Sequence, residues 1–122
     1  MEKSAKSILV VEDDDGLLET LRDLLNMEGY DVALAHNGLE ALEVLKTISP
    51  AVIVLDMRMP RMGGEAFARE VHRREGFRSL YIIVLTANLY ARKTAEEIGA
   101  NDFLAKPFDI SELLEKIELA IK

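Results

Sequence analysis

The chain has 122 residues, enough for one domain with a single hydrophobic core but too few for two ordinary domains. Its net charge of −7 argues against non-specific binding to nucleic acid or anionic membranes, and it contains no cysteine, which excludes disulfides, thiolate metal sites and cysteine nucleophiles. No apolar run approaches the roughly 20 residues that span a bilayer. We therefore expect a cytoplasmic protein with one domain over residues 1–122, a core from about residue 7 and a disordered segment over residues 1–6.

The first apolar run, Ser7–Val11, is continuous and rich in branched side chains, which is typical of a strand buried on both faces. It is followed by four consecutive acids, Glu12–Asp15. Leucines then recur at helical spacing, with Asp14 or Asp15 as the predicted cap and Gly29 as the predicted stop. The chain therefore begins with a buried strand that leads through acids into a helix.

A second predicted strand, Asp31–Ala35, leads into a helix that Asn37 caps. The predicted inward face of this helix consists of Leu39, Leu42, Leu45 and Ile48. The next run, Ala51–Leu55, is entirely apolar, lies between two prolines and ends at Asp56. Such a run predicts the central strand of a parallel sheet, whose carboxyl end opens into the functional crevice.

The second half of the chain continues the same alternation. The predicted elements are a helix over Glu65–Glu75, a strand over Leu80–Leu85, a helix over Leu89–Ile98, a strand over Asp102–Ala105 and a last helix that starts with a capping box at Asp109 and Glu112. The pattern predicts an α/β fold of five βα units, with a doubly wound parallel sheet, helices on both faces and the flavodoxin-like strand order 2-1-3-4-5.

In a parallel sheet, the residues that follow each strand meet at one edge. Glu12 and Asp13 follow the first strand, and Asp56 follows the third. Thr86 and Lys106 follow the fourth and fifth strands. Three converging acids repel one another and raise one another's pKa, whereas a hard divalent ion such as Mg²⁺ neutralises them.

These residue types suit phosphoryl transfer. Lys106 offers a compact positive charge and Thr86 a hydroxyl donor for phosphoryl oxygens, which leaves Asp56 to act as a carboxylate nucleophile that forms an aspartyl-phosphate. The second strand ends at His36, which we interpret as a surface residue without a role in the site.

Four segments together resemble a response-regulator receiver domain of two-component signal transduction, in the CheY-like superfamily. They are ILVVEDD at Ile8–Asp14, LDMRMPRMGG at Leu55–Gly64, LTA at Leu85–Ala87 and GANDFLAKPF at Gly99–Phe108. The resemblance covers about residues 7–122.

The resemblance implies a role for each of these positions. Asp56 would be the phospho-acceptor. Glu12 and Asp13 would be the acidic pair that binds Mg²⁺ or Mn²⁺, with Asp13 as a direct ligand and Glu12 acting through water. The main-chain carbonyl of Arg58 would be a further metal ligand. Thr86 and Lys106 would hold the phosphoryl oxygens, and the Lys106–Pro107 bond is cis in the family.

The resemblance also implies a switch. Thr86 would move toward the phosphoryl group and Phe103 would turn inward, which changes the face formed by the predicted fourth helix, the fifth strand and the last helix. Expected partners are a sensor histidine kinase or phosphotransfer protein, a downstream effector and, through that face, a second copy of the chain. No direct contact with nucleic acid or membrane is expected. Phe103 as an ordinary core residue stays an alternative.

Two departures from the family pattern keep other functions open. The turn reads Met62-Gly63-Gly64 where the family has Asp or Asn before the glycine, which predicts a looser turn. Arg58 and Asn88, two residues after Asp56 and Thr86, flank the path of an attacking water, and we expect Arg58 to alter the lifetime of a phospho-aspartate.

The alternatives are a pseudo-receiver that only binds proteins, and an aspartate-nucleophile phosphohydrolase. The second is disfavoured because Arg58 occupies the position of that class's general acid. The chain is either a stand-alone receiver or a domain of a longer protein.

Overall fold

The computed structural model describes residues 4–57, 61–74, 80–87 and 99–121. Within these ranges it contains one parallel sheet of five strands in the order β2-β1-β3-β4-β5. The strands are β1 Ser4–Val11, β2 Asp31–Ala35, β3 Pro50–Asp56, β4 Tyr81–Thr86 and β5 Asp102–Ala105. The predicted fold class and strand order are confirmed.

Helices cover both faces of this sheet. The described helices are α1 Asp15–Met27, α2 Gly38–Val44, α3 Gly64–Arg73 and the C-terminal α4 Ile110–Ile121. One core cluster joins the sheet to α2 and α3 through side chains such as Leu42 and Phe67. The other joins it to α1 and α4 through side chains such as Leu21 and Leu113. The sheet is therefore the middle of three layers, as a doubly wound fold requires.

Strand β3 is buried along its whole length and pairs with β1 and β4. Ile53 and Leu55 pack into the cluster beneath α2 and α3, whereas Val52 and Val54 pack into the cluster beneath α1 and α4. Because both faces are covered, every position favours an apolar side chain, and the strand shows no alternation of polar and apolar residues.

The predicted cap residues begin the helices that follow β1, β2 and β5. The Asp14 side chain accepts a hydrogen bond from the Leu17 N–H at 3.0 Å, and Asn37 accepts one from the Glu40 N–H at 2.9 Å. At the start of α4, the Asp109 N–H donates to the Glu112 carboxylate at 3.3 Å, which is one half of the predicted capping box.

Two elements differ from the sequence prediction. Strand β1 begins at Ser4, which pairs with Pro50, so it is longer at its N-terminal end than the predicted strand Ser7–Val11. Helix α2 ends at Val44, and Leu39 at its first turn is 51% exposed although its spacing placed it inward. The buried residues of this two-turn helix are Gly38, Ala41 and Leu42, and Leu39 lies outside the face that they form. The predicted helix Leu89–Ile98 lies outside the described residues.

Helix α3 starts in close contact with the end of β3, which generates a stability prediction. A Cβ added at Gly64 would lie 2.6 Å from the backbone oxygen of Asp56, a contact that requires the backbone to shift. We expect Gly64→Ala to lower the free energy of unfolding by about 1–3 kcal/mol, the usual effect of overpacking. Urea denaturation would measure the change.

Gly16→Ala is the matched control, because a Cβ there meets its nearest atom at an ordinary 3.4 Å within α1. It should raise stability by about 0.5–1 kcal/mol through helix propensity. Equal effects of the two substitutions would contradict a steric role for Gly64.

Candidate functional site

The carboxyl ends of the strands bring the predicted polar residues to one edge of the sheet. Val11 pairs with Leu55 across β1 and β3, so Glu12 and Asp56 follow at adjacent positions. On the other side of β3, Asp56 pairs with Leu85, which places Thr86 one residue further along β4. The strand register alone thus makes Glu12, Asp56 and Thr86 neighbours.

Three carboxylates form a cluster at this edge. One oxygen each of Glu12, Asp13 and Asp56 lies within 4.8 Å of the other two. Glu12 and Asp56 are buried, at 1% and 5% exposure, whereas Asp13 is open to solvent. Converging carboxylate oxygens with one open side fit a hard divalent cation that retains several waters, and Mg²⁺ is such a cation.

Lys106 links the two buried acids. Its ammonium group donates to Glu12 Oε1 at 2.8 Å and to Asp56 Oδ1 at 3.1 Å. The backbone N–H of Lys106 donates to the Thr86 carbonyl at 2.8 Å, which joins the ends of β4 and β5. The lysine is therefore held from both ends beside the carboxylate of Asp56.

Burial and neighbouring charges shift the pKa values of Glu12 and Lys106. Burial raises the pKa of the Glu12 carboxyl, and the nearby charge of Asp56 adds to this, against the lowering effect of Lys106. Burial lowers the pKa of Lys106, but its hydrogen bonds to Glu12 and Asp56 outweigh this and raise it. One ammonium therefore does not offset the clustered carboxylates, and the site favours added positive charge.

The two predicted switch residues occupy neighbouring strands. Thr86 ends β4 and is 5% exposed. Phe103 pairs with Val84 in the middle of β5, is partly buried and packs against the core cluster beneath α2 and α3. Thr86 therefore lies at the carboxyl edge of the sheet, and Phe103 lies on the adjacent strand beside the core.

The turn between β3 and α3 is held by backbone contacts. Arg61 and Met62 have positive φ angles of 52° and 71°. The Gly38 N–H at the start of α2 donates to the Met62 carbonyl at 2.9 Å. Gly63 caps α3 without a side-chain hydrogen bond. The carbonyl of Arg58 lies outside the described residues, as does Asn88.

The structure thus brings Glu12, Asp13, Asp56 and Lys106 together, and joins Thr86 to Lys106 through the backbone. The Lys106–Pro107 peptide bond is cis. His36, which was predicted to be a surface residue, is exposed. His36 contacts two carboxylates, one of which, Glu40, lies four residues further along the chain and was the available sequence signal.

A doubly wound sheet in this order, with an acidic cluster and a lysine at its carboxyl edge, defines a receiver domain of two-component signalling. The chain belongs to the response regulator receiver domain family, whose model matches residues 8–118.

Among the described residues, no helix is long and apolar enough to cross a membrane.

Individual relatives agree with this family. The response regulator MprA of Mycobacterium ulcerans is 41% identical over 117 residues, which cover 94% of this chain and 50% of MprA. The chain therefore spans about half the length of the curated relatives it matches.

Two solved structures are similar over nearly their whole length. The receiver domain of the sensor histidine kinase PA1611 from Pseudomonas aeruginosa, which has a magnesium ion coordinated in its active site cleft, is 32% identical with a TM-score of 0.88, over 97% of this chain and 98% of that one. The response regulator TrrA of Thermotoga maritima, in complex with Mg²⁺–BeF, is 33% identical with a TM-score of 0.84, over 94% and 98%.

The raised pKa of Glu12 predicts that the site destabilises the metal-free fold at neutral pH. A proton binds more tightly to folded than to unfolded Glu12, so the stabilisation that it gives is present below the ordinary pKa of 4.5 and is lost as pH rises through the raised value. Glu12→Gln should therefore be more stable than wild type at pH 7 in EDTA, within the 0.5–2 kcal/mol (roughly) typical of stabilising substitutions.

Urea denaturation at pH 4 and pH 7 would measure this, with the exposed Glu19→Gln as the control. The advantage of Glu12→Gln should shrink at pH 4, where wild-type Glu12 is itself protonated. A variant less stable than wild type at pH 7 would show that the Lys106 contact outweighs burial.

Proposed function

We propose that this chain is a phosphorylation-dependent signalling switch in which Asp56 accepts a phosphoryl group from a phosphohistidine donor. The observation that carries the proposal is the ammonium group of Lys106, held 2.8 Å from Glu12 and 3.1 Å from Asp56 at the end of the central strand. A buried nucleophilic carboxylate beside a fixed cation and an acidic cluster suits phosphoryl transfer, which depends mainly on position and charge.

In the proposed step, a carboxylate oxygen of Asp56 attacks phosphorus and the P–N bond to the donor imidazole breaks. The imidazole departs with the bonding electron pair and is protonated, and Asp56 becomes an acyl phosphate. Lys106 can then exchange its hydrogen bond with Asp56 for one with a phosphoryl oxygen, while its contact with Glu12 holds it in position. The hydroxyl of Thr86, at the end of the adjacent strand, would hold a second phosphoryl oxygen.

Mg²⁺ is the proposed cofactor, and Mn²⁺ would serve in its place. Glu12, Asp13 and Asp56 would hold it, with the carbonyl of Arg58 as a further ligand by analogy with the family. The metal would neutralise negative charge on the phosphoryl oxygens. The magnesium ion in the PA1611 receiver domain supports this assignment.

The switch would act by population shift. Phosphorylation would favour a packing in which Thr86 approaches the phosphoryl group and Phe103 turns inward, and the two packings would present different surfaces around β5 and α4. Family membership supports a sensor kinase or phosphotransfer protein as donor and an effector as receptor of the signal. That surface is also the proposed site of a homodimer.

Intact mass after incubation with acetyl phosphate and Mg²⁺ tests the proposal. We expect wild type to gain one phosphoryl group, and both Asp56→Asn and EDTA treatment to abolish the gain. Asp31→Asn is the matched control, because Asp31 is an exposed acid at the opposite end of the sheet, at the start of β2. It should be phosphorylated like wild type.

Beryllofluoride binding separates the two explanations of a missing adduct. If no adduct forms but beryllofluoride with Mg²⁺ binds wild type and not Asp56→Asn, the acyl phosphate forms and hydrolyses quickly. If neither is observed, the phosphorylation proposal is wrong and the chain is a pseudo-receiver that binds proteins.

A further inference from the structure

His36 follows β2 and joins two helices near the acidic cluster. Its ring Nε2 lies 3.0 Å from Asp15 Oδ1 at the start of α1, and its ring Nδ1 lies 3.0 Å from Glu40 Oε1 in α2. The main-chain N–H of His36 also donates to Glu40 Oε1 at 3.1 Å. The imidazole thus bridges two carboxylates, with one on each ring nitrogen.

This arrangement requires a particular protonation state. A neutral imidazole carries a proton on one nitrogen and a lone pair on the other, whereas an ionised carboxylate can only accept hydrogen bonds. A neutral His36 could donate to one of its two partners but would turn a lone pair toward the other. Only the imidazolium, with a proton on each nitrogen, satisfies both contacts.

We propose that His36 is a proton-dependent positioning residue, which ties the start of α1 to the start of α2 when it is protonated and releases Asp15 when it is not. The asymmetry of the bridge identifies Asp15 as the released partner. Glu40 is held by two donors from His36, the ring and the main chain, whereas Asp15 is held by the ring alone. The side chain of Asp15 is also 78% exposed, so water readily replaces its lost contact with His36.

The bridge connects the two segments that flank the acidic cluster. Asp15 is the first residue of α1 and follows Asp13 by two positions in the β1–α1 turn. Glu40 lies in the first turn of α2, the helix whose Gly38 N–H holds the Met62 carbonyl of the turn after β3. A change at His36 therefore reaches the chain on both sides of the site.

The surrounding charges favour the protonated, bridged state. Among the described residues, Asp15 faces His36 from α1 and Glu40 from α2, while Arg61 acts on Glu40 from the turn before α3. The hydrogen bond to Glu40 is the largest cause that raises the pKa of His36 above its ordinary 6.5, and the charges of Glu40 and Asp15 add to it against some burial. The stabilisation that the bridge contributes is therefore complete below pH 6.5 and is lost as pH rises through the raised pKa.

Histidine NMR on the metal-free protein tests the bridge directly. The pKa of His36 should fall in both Asp15→Asn and Glu40→Gln, and it should fall further in Glu40→Gln. Glu19→Gln in α1 and Glu43→Gln in α2 are matched controls, because neither side chain contacts His36 in the structure and both variants make the same change of charge. The resonances of His72, which contacts the Gly99 carbonyl, serve as an internal reference.

A His36 pKa that is the same in Asp15→Asn and in Glu19→Gln would overturn the bridge. A fall in Asp15→Asn but not in Glu40→Gln would overturn the assignment of Glu40 as the retained partner. This experiment requires neither metal nor phosphoryl group, so its result is independent of whether Asp56 is phosphorylated.

A second measurement tests the coupling to the site and rests on the proposed metal function. Deprotonation of His36 removes one positive charge beside the acidic cluster, so Mg²⁺ should bind more tightly as pH rises. By calorimetric titration, wild type should gain about twofold more affinity between pH 6 and pH 8 than His36→Gln, which cannot titrate. Equal gains in the two proteins would overturn the coupling. By reciprocity, Mg²⁺ should lower the His36 pKa.

Discussion

Buried negative charge at the carboxyl edge of the sheet is the constraint on which the rest of this structure depends. Glu12 and Asp56 lie almost entirely out of solvent, and removing such groups from water costs several kcal/mol per ion unless partners compensate. Lys106 contacts both acids, yet one ammonium leaves the cluster with excess negative charge. The residues of the site therefore neutralise only part of its negative charge. Binding of a cation, or of a phosphoryl group that contacts Lys106, would change the electrostatic energy of the site.

The strands and helices around the site hold these buried charges in fixed positions. Strand β3 is covered by helices on both faces, and its neighbours β1 and β4 supply Glu12 and Thr86 in fixed register with Asp56. Gly64 packs against the backbone of Asp56, which places the start of α3 directly against the end of β3. A rigid sheet edge with unbalanced charge suits the proposed switch, because closely packed protein interiors change between discrete packings and do not deform continuously.

Most of the fold and most of the site could be predicted because both follow from local patterns. The apolar run before Asp56 identifies a doubly covered strand, and parallel strands bring the residues that follow them to one edge. The caps at Asp14 and Asn37 were readable for the same reason, since a cap depends on contacts within four residues. Leu39 was misplaced because the buried face of α2 includes the small residues Gly38 and Ala41, which the spacing of the large apolar residues does not reveal.

The contact between His36 and Asp15 could not be predicted because it depends on tertiary structure: Asp15 is distant in sequence and reaches the imidazole only when β2 lies beside β1. The two charge networks at this edge differ accordingly. Lys106 lies among buried carboxylates that hold it charged, so its contribution changes little near neutral pH and is weakly screened by salt. The His36 bridge is about half exposed, and histidine is the side-chain type whose ordinary pKa lies nearest to neutral pH. The buried network can therefore define the chemistry of the site, while the exposed one adjusts the charge around it.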